Sequence, residues 1–120
     1  MARIKGSAAG GGYSTAKDLL LFSKALFSHI LLTETLTKMV LTGKIQPNPE
    51  MENIRYAYGF GVHNYDSLTR YGHNGGAPGI NSFFGVYQPV NYTLIVLSNY
   101  DPPAAERVAN NIHSLLINLA

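Results

Sequence analysis

The chain of 120 residues has no cysteine, few charged residues and no long apolar run. The absence of cysteine excludes disulfide bridges and thiolate metal sites. The longest apolar runs, such as Leu19 to Phe22 and Leu94 to Leu97, are far shorter than the roughly 20 residues that a membrane-spanning helix requires. We therefore expect no membrane span in this chain.

Charge is scarce as well. Asp, Glu, Lys and Arg make up 13% of the residues, about half of the ~25% that is usual in globular proteins. The net charge is +2 and the nine basic residues are scattered, which argues against nucleic-acid binding. A small soluble domain needs a polar exterior, so we expect part of this surface to lie against a partner, a second copy or another part of the same protein.

The length fits one compact domain, residues 1–120. The chain starts with Met1 to Lys5 and a stretch rich in glycine and alanine. This start lacks the apolar segment of a secretory signal peptide and is typical of an interior loop of a longer chain. The sequence does not reveal the native compartment.

The first part of the chain predicts two helices. Apolar residues recur at helical spacing over residues 15–28, and Ser14 and Thr15 are both suitable N-caps. Thr33 begins a second, shorter helix, and Gly43 ends it.

The second part predicts four antiparallel strands and a closing helix. Bulky and small residues alternate over 56–62, as in a strand with one tightly packed face. The other strands are 68–71, which begins a return strand, 80–87, and 92–97, which is apolar on both faces and therefore central. Asp101 is expected to cap the closing helix. Two helices, a four-strand meander and a helix packed on the sheet make an α+β fold.

The most distinctive segment runs from Tyr71 to Gly79, where four of nine residues are glycine. Glycine lets the backbone come very close to another group because it has no Cβ. His73 lies in this segment and can carry or relay a proton near neutral pH. Acyl-transfer enzymes stabilise an oxyanion with bare backbone N–H groups placed near such a residue. The alternative is a strand histidine with local hydrogen bonds only.

Four segments occur in a characteristic order. They are Gly-Gly-Gly-Tyr-Ser-Thr-Ala-Lys-Asp-Leu at 10–19, Tyr-Gly-Phe-Gly-Val at 58–62, Gly-His-Asn-Gly-Gly-Ala-Pro-Gly at 72–79 and Val-Leu-Ser-Asn at 96–99. Together they resemble the serine β-lactamase and penicillin-binding-protein-like hydrolases. The most similar branch comprises class C β-lactamases, D-alanyl-D-alanine carboxypeptidases and related esterases.

The resemblance implies a bacterial serine hydrolase, periplasmic or secreted, that acts on an ester, amide or β-lactam through an acyl-enzyme. Family members carry Ser-x-x-Lys, a Tyr-x-Asn or Ser-x-Asn, and Lys-Thr-Gly or a variant. The resemblance places His73 at the lysine of the third motif, where it would orient substrate and move protons. It makes the backbone N–H of Gly76 one half of the oxyanion hole. Asn74 and Gly75 would contact substrate.

In the family the first two motifs lie upstream of the Gly-Gly segment, and only nine residues precede Gly10. We therefore expect the C-terminal portion of such an enzyme, with a partial β-lactamase-like fold and no activity alone. Ser14 to Lys17 fits Ser-x-x-Lys literally, but we interpret Ser14 as an N-cap. Tyr65 to Ser67 fits Tyr-x-Ser, which a hairpin turn explains better. The alternative is a stand-alone interaction or dimerisation module.

The other three histidines suggest no site. His29 and His113 lie in helix patterns and are expected on the surface, and His63 is at a strand end without an evident partner. The four histidines lack metal-ligand spacing, so we expect neither zinc nor another cofactor.

Overall fold

A computed structural model describes residues 6–119. The predicted interior-loop segment at 1–5 lies outside them. Within the described part, no helix is long and apolar enough to cross a membrane. The elements are α1 (Ala16–Phe27), α2 (Glu34–Leu41), β1 (Ile54–Tyr56), β2 (Gly61–Asn64), β3 (Thr69–Ala77), β4 (Ile80–Gln88), β5 (Tyr92–Ser98) and α3 (Ala104–Leu119).

The five strands form one antiparallel sheet in chain order, with helices on both faces. Among the described residues β5 is at one edge of this sheet, so the prediction that the strand at 92–97 is central was wrong. Both of its faces are apolar because α1 and α3 each pack on it. On one face the ring of Phe22 in α1 lies against Phe84 in β4, with centroids 6.3 Å apart. On the other face Phe83 shares a core with Ala109 of α3. Because successive strand residues point to opposite faces, these contacts place α1 and α3 on opposite sides of the sheet. The α+β class is thus confirmed.

Each face of the sheet has its own apolar core. The buried residues of the α1 side are Leu26, Leu41, Ala57, Phe60 and Val62. Those of the α3 side are Leu68, Phe83, Tyr87, Leu94 and Ala109.

The number of strands differs from the prediction. The predicted strand at 56–62 is two strands, β1 and β2, joined by a turn in which the Ala57 N–H donates to the Phe60 carbonyl at 2.8 Å. Gly59 adopts φ +78 in this turn, a conformation that glycine takes without strain. The alternation of bulky and small residues came from Gly59 in this turn and Gly61 at the start of β2, so the four-strand count was wrong.

The glycine-rich segment is a strand rather than an open loop. The strand predicted from 68–71 continues as β3 to Ala77 and pairs with β4 throughout. Pro78 and Gly79 connect the two strands, and φ +80 at Gly79 fits a type II turn. A Cβ on Gly72 would lie 2.0 Å from a carbonyl oxygen of β4. Glycine is therefore needed here because the two backbones are packed so closely.

Threonine side chains begin the first two helices. The Oγ1 of Thr15 accepts the Asp18 N–H at 3.1 Å, and that of Thr33 accepts the Leu36 N–H at 3.3 Å. Ser14, the other predicted cap of α1, lies outside the helix and is exposed. Thr15 is therefore the cap, and a side chain in the N-cap position typically stabilises a helix by about 1 kcal/mol.

The third helix is capped from a distance. Asp101, the predicted cap, instead accepts the Gly79 N–H at 2.6 Å. The helix begins at residue 104, and the residue before it is a proline, which has no side-chain acceptor. The Oδ1 of Asn81 in β4 accepts the N–H groups of Ala105 at 2.8 Å and Glu106 at 3.1 Å. Asn81, a strand residue, thus satisfies free N–H groups at the start of α3, which an N-cap side chain does in other helices.

Candidate functional site

The second half of β3 has an open edge. Within the described part of the chain, β2 pairs only with Thr69 to Gly72, so residues 73–77 have a strand partner on the β4 side alone. Ala77 and Ile80 flank the two-residue turn and form a hydrogen-bonded pair. Because such pairs alternate, the next residue, Gly76, directs its N–H away from β4. A backbone donor therefore points outward at the open edge of β3.

His73, at the start of this edge, is fixed by two hydrogen bonds. Its Nδ1 contacts the carbonyl oxygen of Asn74, and its Nε2 lies 3.1 Å from the hydroxyl oxygen of Tyr56. The two rings meet edge to face, with centroids 6.0 Å apart and planes at 74°. A carbonyl oxygen only accepts, so Nδ1 carries a proton, and in the tautomer protonated at Nδ1 alone Nε2 accepts from the Tyr56 hydroxyl. The two bonds together orient the imidazole ring.

Tyr56 reaches His73 across a row of glycines. Tyr56 in β1 pairs in register with Gly61 in β2. Gly61 pairs with Gly72 in β3, and Gly72 pairs with Gly85 in β4. Three adjacent strands therefore carry glycine at the same level, and the Tyr56 hydroxyl reaches His73 at this end of β2. No local sequence pattern marks Tyr56, because its contact with His73 depends on strand register.

The residues predicted to contact substrate belong to a network beneath the edge. The amide of Asn74 donates to Glu106 Oε1 at 3.2 Å. The amide of Asn81 donates to the same oxygen at 3.1 Å and to the Gly75 carbonyl at 2.9 Å. Glu106 lies in the first turn of α3. The side chain of Asn74 and the carbonyl of Gly75 are therefore held by the protein itself.

Close packing explains the two glycines at the end of the edge. A Cβ on Gly76 would lie 2.7 Å from Cγ of Pro102, and one on Gly75 would lie 2.8 Å from Oγ of Ser82. Both distances are shorter than ordinary contacts, so a larger residue at either position would displace its neighbour. These contacts keep the Gly76 backbone in place.

A cleft of ≈ 320 Å³ opens beside the glycine row. Tyr56, His73 and Asn74 line it together with His63 and Arg70. The cleft therefore brings two of the four predicted site residues next to polar groups that the sequence analysis did not connect with them.

His63 has a partner in the fold. It pairs in register with Arg70 on β3. Burial lowers the pKa of His63 from 6.5 to about 4, and the positive charges of Arg70 and His113 add to this effect. His63 is therefore neutral at pH 7.

His113 is not the surface group that was predicted. Its ring packs on Tyr65, with centroids 4.8 Å apart, and its Nδ1 lies 2.9 Å from the hydroxyl oxygen of Tyr87. Burial, and then the charge of Arg70, lower the pKa of His113. His29 is exposed, as expected, but lies beyond α1 with φ 62.

The literal motif matches lie away from this site. The hydroxyl of Ser14 contacts only the Thr15 carbonyl, at 3.4 Å, and Ser14 does not line the cleft. The segment from Tyr65 to Ser67 turns the chain between β2 and β3, with the Tyr65 N–H donating to the Leu68 carbonyl at 2.8 Å. Among residues 6–119 there is no group of three potential metal ligands.

Comparison with known proteins identifies relatives. A model of the Beta-lactamase family matches residues 1–119. A penicillin-binding protein from Bacillus halodurans is 30% identical with a TM-score of 0.82, over 92% of this chain and 33% of that one. A D-stereospecific amidohydrolase from Streptomyces sp. is 28% identical with a TM-score of 0.65, over 73% of this chain and 26% of that one.

A more distant structure supports the fold alone. The D-amino acid amidase from Ochrobactrum anthropi SV3, complexed with D-phenylalanine, is 21% identical with a TM-score of 0.67, over 89% of this chain and 36% of that one. No curated protein matches the chain. The chain spans about a third of the length of the penicillin-binding protein. The family match over almost the whole chain agrees with the fold and with the order of the four segments, and the chain therefore belongs to the beta-lactamase family.

Proposed function

We propose that this chain is the C-terminal part of a serine hydrolase that acts through an acyl-enzyme on an ester, amide or β-lactam. In this proposal residues 1–120 are one domain, or part of one, of a longer enzyme. The observation that carries the proposal is the open edge of β3. There His73, oriented by Tyr56, and the outward N–H of Gly76 lie three residues apart on one strand. The names of the solved relatives, an amidohydrolase and a penicillin-binding protein, agree with this chemistry.

The open edge suits the stabilisation of an oxyanion. When a serine hydroxyl attacks a carbonyl group, the carbonyl oxygen gains negative charge, and an N–H that already points at it stabilises that charge without reorganising. The Gly76 N–H would be one donor and the N–H of the nucleophilic serine the other. Loss of one donor typically lowers the rate by roughly 10²–10³.

His73 would move a proton at Nε2. In its neutral form Nε2 accepts from the Tyr56 hydroxyl. On protonation the direction of this bond reverses, because an imidazolium donates at both nitrogens and the phenol oxygen can accept. Tyr56 can therefore position His73 in both protonation states. A proton would therefore reach Nε2 through Tyr56, whose hydroxyl gives its own proton to Nε2 as it takes one from the reacting group.

The chain alone is proposed to be inactive. Its only Ser-x-x-Lys match begins at Ser14, which lies at the start of α1 and outside the cleft. The coding sequence upstream of Met1 tests the proposal that a longer enzyme exists. We expect it to encode Ser-x-x-Lys followed by Tyr-x-Asn or Tyr-x-Ser in the same frame. An in-frame stop codon directly upstream would contradict the proposal.

The role of His73 is tested in the longer enzyme. We expect His73→Ala to lower kcat/KM by roughly 10²–10⁴, the usual contribution of a general acid or base. His29→Asn is the matched control, because asparagine tolerates the positive φ of this exposed position. Equal activity of the two variants would remove His73 from the mechanism.

A second candidate is a stand-alone interaction or dimerisation module. It is favoured by Val108, Leu115 and Leu119 of α3, which are 49%, 65% and 81% exposed and recur at helical spacing on one face. Such a stripe is a common surface for self-association. Light scattering tests this candidate. A monomer at all concentrations, with no change on Leu115→Lys, would contradict it.

A further inference from the structure

We propose that the cleft beside the glycine row binds a small organic carboxylate, whose oxygens pair with the guanidinium of Arg70. This inference does not depend on the proposed hydrolase function, because it rests on the shape and charge of the cleft alone. No role in the proposed reaction requires Arg70.

The cleft has the size for a small ligand. Its volume of ≈ 320 Å³ is at the lower end of the roughly 300–1,000 Å³ range of small-molecule sites. Gly61 and Gly72 line it, and Gly85 continues the same row. A Cβ on Gly85 would lie 3.2 Å from Cδ of Arg70, so the arginine stem lies over this glycine. Without Cβ atoms at this level, the Arg70 stem and the His63 ring can lie close to the sheet beside the cleft.

The charge of Arg70 is set among neutral groups. Its guanidinium lies over the ring of Phe83, 5.2 Å from the centroid, and Arg70 pairs in register with His63 and Tyr87. Burial, together with the charge of Arg70, lowers the pKa of His63 to about 4, so this neighbour is uncharged at pH 7. A guanidinium stays charged and has five N–H donors in a planar fork. The surroundings therefore favour an added anion.

The remaining charges of the cleft lead to the same conclusion. Arg55 and Arg70 line it together with one acid, Glu106. One carboxylate oxygen of Glu106 already accepts from two asparagine amides. The lining is therefore net positive when its histidines are neutral. This lining attracts an anion. When the anion pairs with Arg70, Arg55 remains as an additional positive charge.

The walls indicate which kind of anion fits. Phe83 and Tyr56 place aromatic rings on the lining, and Asn110 adds an amide. A carboxylate can accept two parallel hydrogen bonds from one guanidinium, while an apolar body covers the rings. An aryl or alkyl carboxylate matches this combination better than a fully hydrated inorganic anion does.

Benzoate and its neutral analogue benzamide test the proposal on the 120-residue chain. We expect benzoate to cause saturable NMR shifts of the amides of Gly61, Gly72 and Gly85, and benzamide to cause none. We expect Arg70→Gln to weaken benzoate binding about tenfold or more, as loss of a charge-assisted bidentate pair implies. Arg107→Gln is the matched control, because this exposed arginine of α3 does not line the cleft.

Three results would overturn the proposal. They are absence of saturable shifts with benzoate, equal binding of benzamide, and equal affinity of the Arg70→Gln and Arg107→Gln variants. Arg70→Lys keeps the charge and loses the fork, so it should bind with intermediate affinity. If Arg70→Gln fails to fold by circular dichroism, Arg70→Lys decides the matter, and unchanged affinity of this variant overturns the pairing.

Discussion

Asn81 joins three elements through one side chain, of which only 2% is exposed. Its oxygen accepts two N–H groups of α3, and its nitrogen donates to Glu106 and to the Gly75 carbonyl. The sequence contained no signal for this role. An asparagine in a strand pattern is unremarkable until the register brings it to the start of a helix more than twenty residues away.

Replacement of Asn81 should therefore destabilise the fold. We expect Asn81→Ala to lower the free energy of unfolding by roughly 2–4 kcal/mol, because it leaves polar backbone groups without partners. Asn111→Ala, at an exposed position of α3, should change it by no more than about 0.5 kcal/mol. Urea denaturation measures both values. Similar values for the two variants would show that the network contributes little to stability.

Tyr56 should determine the tautomer of His73. In the neutral ring, a Tyr56 hydroxyl that donates to Nε2 favours the form protonated at Nδ1. We expect Tyr56→Phe to increase the population protonated at Nε2, as measured by the ¹⁵N shifts of the ring. Tyr58→Phe is the control, because the Tyr58 ring contacts Lys44 instead. An unchanged tautomer in Tyr56→Phe would mean that the carbonyl of Asn74 alone fixes the ring.

His63 should make stability depend on pH. Its pKa is about 4 in the folded chain and near 6.5 unfolded, so the unfolded state binds the proton more tightly. Stability should therefore fall as the pH is lowered from about 6.5 to about 4, and His113, whose pKa is also lowered, acts in the same direction. We expect Arg70→Gln to raise the pKa of His63, since it removes a nearby positive charge. An NMR titration checks this, and an unchanged or lower pKa would contradict it.

At the scale of elements, β3 shows what the sequence could predict and what it could not. Helix periodicity predicted residues 15–28, and α1 is Ala16–Phe27. The extension of β3 to Ala77 was missed because glycine is rare in strands, where it has no side chain to pack. Glycine occurs at position 72 of β3 because the backbone of β4 lies so close to it. Such a cause depends on a neighbouring strand and is not visible in local sequence.

Gly72 should be the position of β3 least able to accept a side chain. A Cβ there would lie 2.0 Å from the Phe84 carbonyl oxygen and 2.9 Å from Cα of Gly85, both backbone atoms that cannot move aside. We expect Gly72→Ala to lower the free energy of unfolding by about 3 kcal/mol or more. Gly12→Ala, with nothing within 4 Å of its added Cβ, should be nearly neutral. Thermal unfolding compares them, and a stable Gly72→Ala variant would mean that β3 and β4 can separate locally.

At the scale of the whole molecule, the order of motifs was more informative than any single motif. Four segments in sequence predicted the family, and the family match confirms it. The order of helix and strand patterns predicted the α+β fold. The site was predicted in part. His73 and Gly76 lie at one edge, but their assigned roles remain predictions. Tyr56, Asn81 and Arg70 could not be found, because each acts across strands whose register the sequence does not specify.

The low fraction of charged residues is also a property of the whole molecule. It predicted a surface in contact with something else, which stays a prediction. Large apolar side chains are exposed, such as Ile30 at 77% and Leu119 at 81%. The chain also spans about a third of the penicillin-binding protein that it matches. In the proposed longer enzyme, the open edge of β3 and these exposed groups would face the rest of the protein.

The most direct test of this account is the reactivity of the 120-residue chain alone. The chain is incubated with a chromogenic ester, a chromogenic cephalosporin and a fluorophosphonate probe, beside its Ser14→Ala variant. We predict no turnover and no covalent adduct by intact mass, because Ser14, the serine of the chain's Ser-x-x-Lys match, does not line the cleft with His73. Turnover that Ser14→Ala abolishes, or an adduct on Ser14, would contradict the account and make Ser14 the nucleophile.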